Sequence, residues 1–173
     1  MCNNVTIRKF DIDDINNKIK WINNSENNEF LHYNLPLEYK KTLEWYLKNK
    51  GNKKRHDMII EYNNIPVGVI GIINIKDRKG EFYITLGESK FKRKGISFEA
   101  TKQIIELAFK SFNIDKIWLC VDEDNLAARR LYEKVGFKQE GLLREDIFFK
   151  GKMINRCMYG ILKKEWRKST WIY

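Results

Sequence analysis

The feature that most constrains the fold is a run of three apolar, strand-like segments in the middle of the chain. These segments, 58–62, 65–75 and 81–86, are separated by polar turns at residues 63–64 and 77–80. In the last segment Phe82, Ile84 and Leu86 recur at every second position, which is the period of a β-strand. Parallel strands need a crossover of a dozen or more residues, so such short turns allow only antiparallel neighbours. The sequence therefore predicts an antiparallel meander.

Strand and helix patterns flank this meander on both sides. Before it, we predict a strand at 5–10, a helix at 11–21, an Asn-rich loop at 22–35 and a helix at 36–50. After it, we predict a helix that follows Gly95, a buried strand at 114–121, a helix at 125–136, and strands at 137–149 and 153–162 joined by a Lys150-Gly151 turn. This order predicts one α/β domain over residues 1–173. Its expected architecture has three layers, with helices on both faces of a mixed, mostly antiparallel central sheet.

Composition excludes several classes of protein. With 43% hydrophobic and 13% aromatic residues, the chain has the material for a core, which excludes collagen-like and wholly disordered proteins. Its longest apolar run, 65–73, is interrupted by Pro66, Gly68 and Gly71 and is far shorter than the ~20 residues of a membrane span. No apolar segment of a secretory signal follows the first charges. We therefore expect a cytoplasmic protein without a membrane partner.

Charge and cysteine usage limit the partners. The net charge of +10 can attract polyanions, but it is spread along the chain and is typical of a solvated surface. No helix-turn-helix or basic-aromatic sheet signature is present, so we expect no specific nucleic-acid partner. Cys2, Cys120 and Cys157 are far apart and lack the spacing of a zinc site, so we expect neither a disulfide framework nor a bound metal.

Positive charge accumulates at a predicted junction between a strand and a helix. The residues of this junction are Lys92, Arg93, Lys94, Gly95, Ile96 and Ser97. The first turn of a helix has unpaired N–H groups and the positive end of the helix dipole, which together suit a pyrophosphate. Gly95 allows the backbone to approach such a ligand closely. The same pattern is also typical of a solvated connection.

A second motif extends over residues 121–137. Asn125 can cap a helix and Gly136 can end it, which explains much of the pattern structurally. Within this helix Tyr132 is either a core residue with its hydroxyl at the rim or a proton donor. The second role is chemically reasonable, because the phenol pKa of ~10 is close to the ~8.5 or more of a leaving thiol.

In this order, the two motifs resemble those of the GNAT acetyltransferase superfamily, and the resemblance is strongest over residues 81–166. The first, Lys92-x-x-Gly95-x-Ser97, is similar to the acetyl-CoA loop, in which Gln or Arg usually stands first and Gly or Ala last. The second is similar to Asn-x-x-Ala-x-x-Leu-Tyr-Glu-Lys-x-Gly-Phe, which begins here at Asn125. Lys92 keeps the charge of the usual residue, whereas the added bulk of Ser97 could weaken cofactor affinity.

The resemblance implies acetyl-CoA as co-substrate and direct attack by a primary amine, without a covalent enzyme intermediate. Residues 92–97 would hold the pyrophosphate, and the strand that ends at Leu86 would pair with the pantetheine arm. Asn125 would hydrogen-bond the cofactor near its acetyl group, and Tyr132 would protonate the departing thiolate. Glu81 would act as the base or in a water relay, although it also fits an ordinary strand-edge carboxylate. Glu88 is a weaker candidate for the base, and so is the loop residue His32, since a loop histidine is more often solvated than catalytic.

The acceptor side would be built by the first two helices, their loop and the last hairpin. It resembles acetyltransferases of amino-sugar nucleotides, of ribosomal-protein N-termini and of spermidine. The net charge of +10 favours a small molecule such as a nucleotide-linked amino sugar, with protein N-termini or polyamines as alternatives. A noncatalytic acyl-CoA sensor is an alternative of another class. We expect Trp21, Phe30 and His32 to contact the substrate, and the chain to be a monomer or homodimer.

Overall fold

The computed structural model describes residues 4–166, and its centre is a seven-stranded sheet. The strands are β1 (Val5–Lys9), β2 (His56–Tyr62), β3 (Ile65–Lys76), β4 (Lys79–Leu86), β5 (Lys116–Asp122), β6 (Lys138–Phe149) and β7 (Lys152–Leu162). Their spatial order is β1-β2-β3-β4-β5-β7-β6, and only the β4–β5 pair is parallel. The predicted fold class, a mixed and mostly antiparallel sheet, is confirmed.

The helices cover both faces of this sheet. They are α1 (Ile15–Asn23), α2 (Tyr39–Asn49), α3 (Ile96–Ser111), α4 (Leu126–Val135) and the short α5 (Lys163–Trp166), with 3-10 turns at Ile12–Asp14 and Ser89–Phe91. Residues of α3 and α4 share one large buried cluster with one face of the sheet, whereas Trp21 of α1 packs on the other face against Ile59 and Val69. Within residues 4–166 no helix is long and apolar enough to cross a membrane.

Three two-residue turns fix the antiparallel hairpins. The central residues of the turns at 63–64, 77–78 and 150–151 all have positive φ, between 49° and 82°. Positive φ at both central positions defines the type I′ turn, whose twist matches that of paired strands. The second turn is shorter than the predicted 77–80, because Lys79 already pairs with Lys76.

The second helix begins later than predicted, at Tyr39 instead of Pro36. The side chain of Asn23 holds the backbone of Leu37 at both polar groups: Leu37 N–H donates to Asn23 Oδ1 (2.7 Å) and Asn23 Nδ2 donates to Leu37 C=O (3.0 Å). Glu38 is also extended, with φ −112° and ψ 147°. The contact with Asn23 thus keeps Leu37 outside the helix, a tertiary effect that the local pattern does not reveal.

A glycine at the end of β4 brings α1 close to the sheet. A Cβ atom at Gly87 would overlap the indole ring of Trp21, which is only 2% exposed. Gly87 also donates its N–H to Val67 C=O at 2.7 Å, so the backbone here is fixed. The close approach of Trp21 to Gly87 therefore sets the position of α1.

We expect Gly87→Ala to lower the free energy of unfolding by about 1–3 kcal/mol, because the added methyl group would displace the packed indole. Gly141→Ala is the matched control, since nothing lies within 4 Å of a Cβ at Gly141. Urea unfolding of both variants measures the difference. Equal stability of the two would show that Trp21 does not require a glycine here.

Candidate active site

β4 and β5 diverge after a short parallel pairing, and the space between them, here called the β4–β5 opening, is the centre of the candidate site. The pairing covers three residues of each strand and ends at Glu81 and Trp118. β4 nevertheless runs on to Leu86, and β5 to Asp122. Beyond the pairing, the facing backbone groups do not bond to each other. An extended ligand with amide groups can use them as an added strand would, which fits the predicted role of the strand ending at Leu86.

The predicted pyrophosphate loop lies between two buried anchors. Phe91 is 8% exposed and Ile96 is 1% exposed, whereas residues 92–95 are exposed. Gly95 has φ 77° and is the N-cap of α3, with no side-chain hydrogen bond to the cap. The first amides of α3 are therefore not capped by a side chain, and the arrangement fits an anionic ligand. Because the Ile96 side chain belongs to the core, only its backbone can serve a ligand, and the half-buried Ser97 follows it.

The cations of this loop differ in how firmly they are held. Lys92 Nζ lies 3.4 Å from the backbone oxygen of Glu26. Lys94 Nζ lies 5.8 Å from the ring centre of Phe91. Arg93 is exposed and has no partner among residues 4–166, so its guanidinium is available to a phosphate.

Asn125 begins α4 as predicted. Its Oδ1 accepts a hydrogen bond from Ala128 N–H at 3.2 Å, and Gly136 follows the last helical residue with φ 112°. The side-chain amide nitrogen of Asn125 makes no hydrogen bond within the part of the chain described. Its cap role therefore leaves that donor free for the predicted cofactor contact.

α4 places Tyr132 beside the β4–β5 opening. Its ring packs against Phe82, the first β4 residue beyond the paired segment, with ring centres 5.9 Å apart and planes at 84°. Tyr132 is 8% exposed, and this burial raises the pKa of its phenol, so the phenol is protonated at neutral pH. Its hydroxyl has no hydrogen-bond partner in residues 4–166. A protonated, unpartnered phenol at this position can donate to an atom in the opening.

The opposite face of β4 and β5 carries charged groups. Since side chains alternate along a strand, Glu81 and Cys120 lie on the face opposite Phe82 and Leu119. Burial raises the pKa of the Cys120 thiol, Arg156 opposes this effect, and Asp146 and Glu81 add to it. These three charged groups therefore lie near enough to Cys120 to affect its thiol. Asp146 accepts a charge-assisted hydrogen bond from Arg156, whereas Glu81 accepts one from the neutral Asn74 Nδ2, at 2.6 Å.

The α1–α2 loop (residues 24–38) is tied to the β4 side of the opening. Asn27 Nδ2 donates to Gly87 C=O at 2.6 Å. The Ser89 hydroxyl donates to the carboxylate of Glu26. The loop therefore lies directly beside the end of β4 and the start of the pyrophosphate loop.

The same α1–α2 loop is also tied to the β5 side of the opening. His32 Nε2 lies 3.0 Å from Asp122 Oδ2, at the last residue of β5. The imidazole also packs on Phe149 of β6, with ring centres 4.5 Å apart. Lys150 Nζ, in the following turn, lies 3.5 Å from Asn28 C=O. The loop thus crosses from β4 to β5 over the opening.

The three predicted substrate contacts have different surroundings. Trp21 is 2% exposed and packs in the core against Gly87, which corrects the expectation that it contacts the acceptor. Phe30 is half-buried in the α1–α2 loop. His32 stands at the opening, with its side chain 26% exposed. Sequence reasoning missed Asp122 as the partner of His32, although its place at the end of a buried strand was a usable signal.

A buried polar network fixes the acceptor side of the sheet. Burial alone would raise the pKa of Asp57. Its carboxylate accepts hydrogen bonds from Tyr83 at 2.7 Å and from Arg55 at 2.7 and 2.8 Å, and these bonds lower the pKa below its ordinary value. Lys18 Nζ lies 3.3 Å from the ring centre of Trp45, and burial lowers its pKa to about 8. The network connects α1, α2, β2 and β4.

Glu88, a weaker candidate for the base, is engaged by two lysines. Its carboxylate accepts from Lys90 at 2.8 Å and from Lys20 at 3.1 Å, and these bonds lower its pKa. Among the residues the structure describes, no group of three or more His, Cys, Asp or Glu side chains could hold a metal ion. Cys2 lies outside the described residues.

Comparisons with known proteins give the family. Residues 4–138 match the Acetyltransferase (GNAT) domain. The chain is 29% identical over 122 residues to an uncharacterized N-acetyltransferase, p20, of Bacillus licheniformis, covering 69% of this chain and 68% of the relative. It is 26% identical over 123 residues to the spermidine N(1)-acetyltransferase of Escherichia coli K12, covering 70% and 66%. The chain thus matches about two thirds of the length of these curated relatives.

A solved structure shares the fold over nearly the whole chain. It is the spermidine N-acetyltransferase from Vibrio cholerae in complex with CoA and spermine, with a TM-score of 0.87, 24% identity and coverage of 94% of this chain and 98% of that one. The chain belongs to the GNAT acetyltransferase family and is an acetyl-CoA-dependent N-acetyltransferase.

Proposed function

We propose that the acceptor is a small amine of the polyamine type. The observation that carries this proposal is the set of three carboxylates, Glu81, Asp122 and Asp146, on the acceptor face beside the β4–β5 opening. Arg156, which lies near them, is engaged by Asp146. An alkylammonium substrate is attracted to such a surface, whereas a nucleotide diphosphate is repelled.

The net charge of +10 belongs to the whole chain and does not give the sign of the charge on the acceptor face. Part of the positive charge lies on α2 and the turn that follows it, where the exposed lysines are Lys40, Lys41, Lys48, Lys50, Lys53 and Lys54. Nothing in the comparisons supports the amino-sugar acceptor that the net charge favoured. The similarity to spermidine acetyltransferases supports the polyamine alternative.

In the proposed reaction, the amine nitrogen attacks the thioester carbon of acetyl-CoA directly. The uncapped amides of α3 and the cations of residues 92–97 bind the pyrophosphate, and the free edge of β4 up to Leu86 receives the pantetheine arm. Asn125 donates to the cofactor near the acetyl group, and Tyr132 gives its proton to the departing sulfur. Catalysis then depends on positioning and on this proton transfer.

The acceptor is tested by acetyl-CoA-dependent release of free thiol with spermidine, spermine, a UDP-linked amino sugar and a peptide with a free N-terminus. We expect the polyamines to give the highest kcat/KM, because the cleft carboxylates favour a cation. Asp146→Asn should raise the KM for spermidine, whereas Asp77→Asn, at an exposed turn, should not. A higher kcat/KM for the peptide would favour a protein acceptor, and tight acetyl-CoA binding without turnover would favour a sensor.

We expect Tyr132→Phe to lower kcat about 100-fold or more, because the thiolate would leave without its proton donor. The dissociation constant of acetyl-CoA, measured by calorimetry, should change little. Tyr39→Phe is the matched control, since Tyr39 is 49% exposed on α2. An unchanged kcat would remove Tyr132 from the mechanism.

The pyrophosphate loop can be tested with a matched pair of glycines. Gly95 and Gly51 are both exposed, have φ of 77° and 80°, and have open space around a Cβ, so a side chain strains both backbones alike. We expect Gly95→Glu to weaken acetyl-CoA binding about 10-fold or more, since its carboxylate would face the phosphates, and Gly51→Glu to leave it unchanged. Calorimetry of both variants decides. Equal affinities would place the phosphates elsewhere.

A further inference from the structure

We propose that His32, held by Asp122, is the base that removes a proton from the acceptor ammonium. Here His32 is a catalytic residue and Asp122 a positioning residue. The inference rests on the proposed amine acceptor. It assigns the removal of the proton to His32 and Asp122, which are 90 positions apart in the sequence, and not to Glu81.

The position of the pair follows from the strands and the loop. Asp122 is the last residue of β5 and lies on the same face as Cys120, two positions before it, and therefore on the acceptor face. Tyr132 approaches the opening from the other face. An amine that approaches the thioester over β5 is therefore on the same side as His32. The departing thiolate is on the side of Tyr132.

The contacts of His32 determine the orientation of its imidazole ring and which ring nitrogen faces Asp122. The Asp122 side chain is 7% exposed, and a buried carboxylate is unfavourable unless it is paired. Arg156, directly opposite Asp122 on β7, is bound to Asp146, which leaves His32 as the partner of Asp122 within residues 4–166. When Nε2–H donates to Asp122, the other ring nitrogen, Nδ1, carries the lone pair. It has no hydrogen-bond partner among the residues described.

Glu81 is placed less well for this step. It lies at the last paired position of β4, at the closed end of the opening, and its carboxylate already accepts from Asn74. A carboxylate is also in general a weaker base than an imidazole. We therefore assign Glu81 to attraction of the ammonium and His32 to its deprotonation.

The protons of the proposed reaction pass through His32 and Tyr132. Neutral His32 takes one proton from the ammonium, and the freed nitrogen lone pair forms the bond to the thioester carbon. The carbon–sulfur bond breaks, and the sulfur takes the proton of Tyr132. The nitrogen gives up its second proton, which restores the Tyr132 phenol, while His32 releases the first proton to solvent. The products are the N-acetyl amine and free CoA.

The test compares three variants with the best amine of the panel, so that failure of the polyamine acceptor does not affect it. His32→Gln keeps a donor for Asp122 but cannot act as a base, and we expect it to lower kcat about 100-fold or more. Glu81→Gln should mainly raise the KM of the amine. His56→Gln is the matched control, because the His56 ring is stacked on Phe112 with ring centres 3.6 Å apart, away from the opening. Acetyl-CoA affinity by calorimetry should be unchanged in all three.

A second measurement separates a base from a structural contact. In His32→Ala, added imidazole should restore part of the rate, and the restored rate should rise with the pKa of a series of substituted imidazoles. Asp122→Asn should lower kcat because it disturbs the orientation of His32, and it should also raise the KM of a cationic amine because it removes one carboxylate of the acceptor face. A His32→Gln variant with a kcat within threefold of the parent, or a His32→Ala rate that does not respond to imidazoles, would overturn the proposal and return the role to Glu81.

Discussion

The candidate active site depends on backbone donors and acceptors of the sheet that have no partner in a neighbouring strand. β4 and β5 pair over three residues and then separate, so that donors and acceptors on both inner edges lack a strand partner. Buried backbone groups without partners cost about 1–3 kcal/mol each, which means that water or a ligand must satisfy them. The opening therefore suits an extended chain of amides, because its edges have the spacing and direction of a strand.

The two faces of the sheet contribute different chemistry to this opening. On one face, α3 and α4 bring an uncapped helix start and the buried phenol of Tyr132. On the other, the α1–α2 loop crosses from Gly87 to Asp122 and brings carboxylates and an imidazole. In the proposed mechanism, the attacking amine therefore meets its proton acceptor on one side of the sheet, and the leaving thiolate meets its proton donor on the other.

Local patterns were sufficient to predict most of the helices, strands and turns. The caps at Asn125 and Gly136 and the Lys150-Gly151 turn depend on residues close together in the chain, and the structure confirms them. The acceptor side was harder, because its contacts join distant residues. His32 meets Asp122 across 90 positions, and Asn23 delays α2 through Leu37. Trp21 illustrates the same limit: an aromatic residue in a polar segment fits a ligand contact, but a glycine 66 positions later makes it a core residue. The ligand roles in the cofactor loop stay predictions.

The short pairing of β4 with β5 also has a consequence for how the molecule holds together. β2, β3 and β4 form one unit of neighbouring hairpins and β6 with β7 another, and β5 joins the second unit along its whole length but the first along three residues. The sheet is therefore two blocks joined at their narrowest contact, and the opening lies in that join. A co-substrate bound there bridges the blocks, so occupancy should resist their separation and couple the cellular supply of the acyl donor to the lifetime of the folded enzyme.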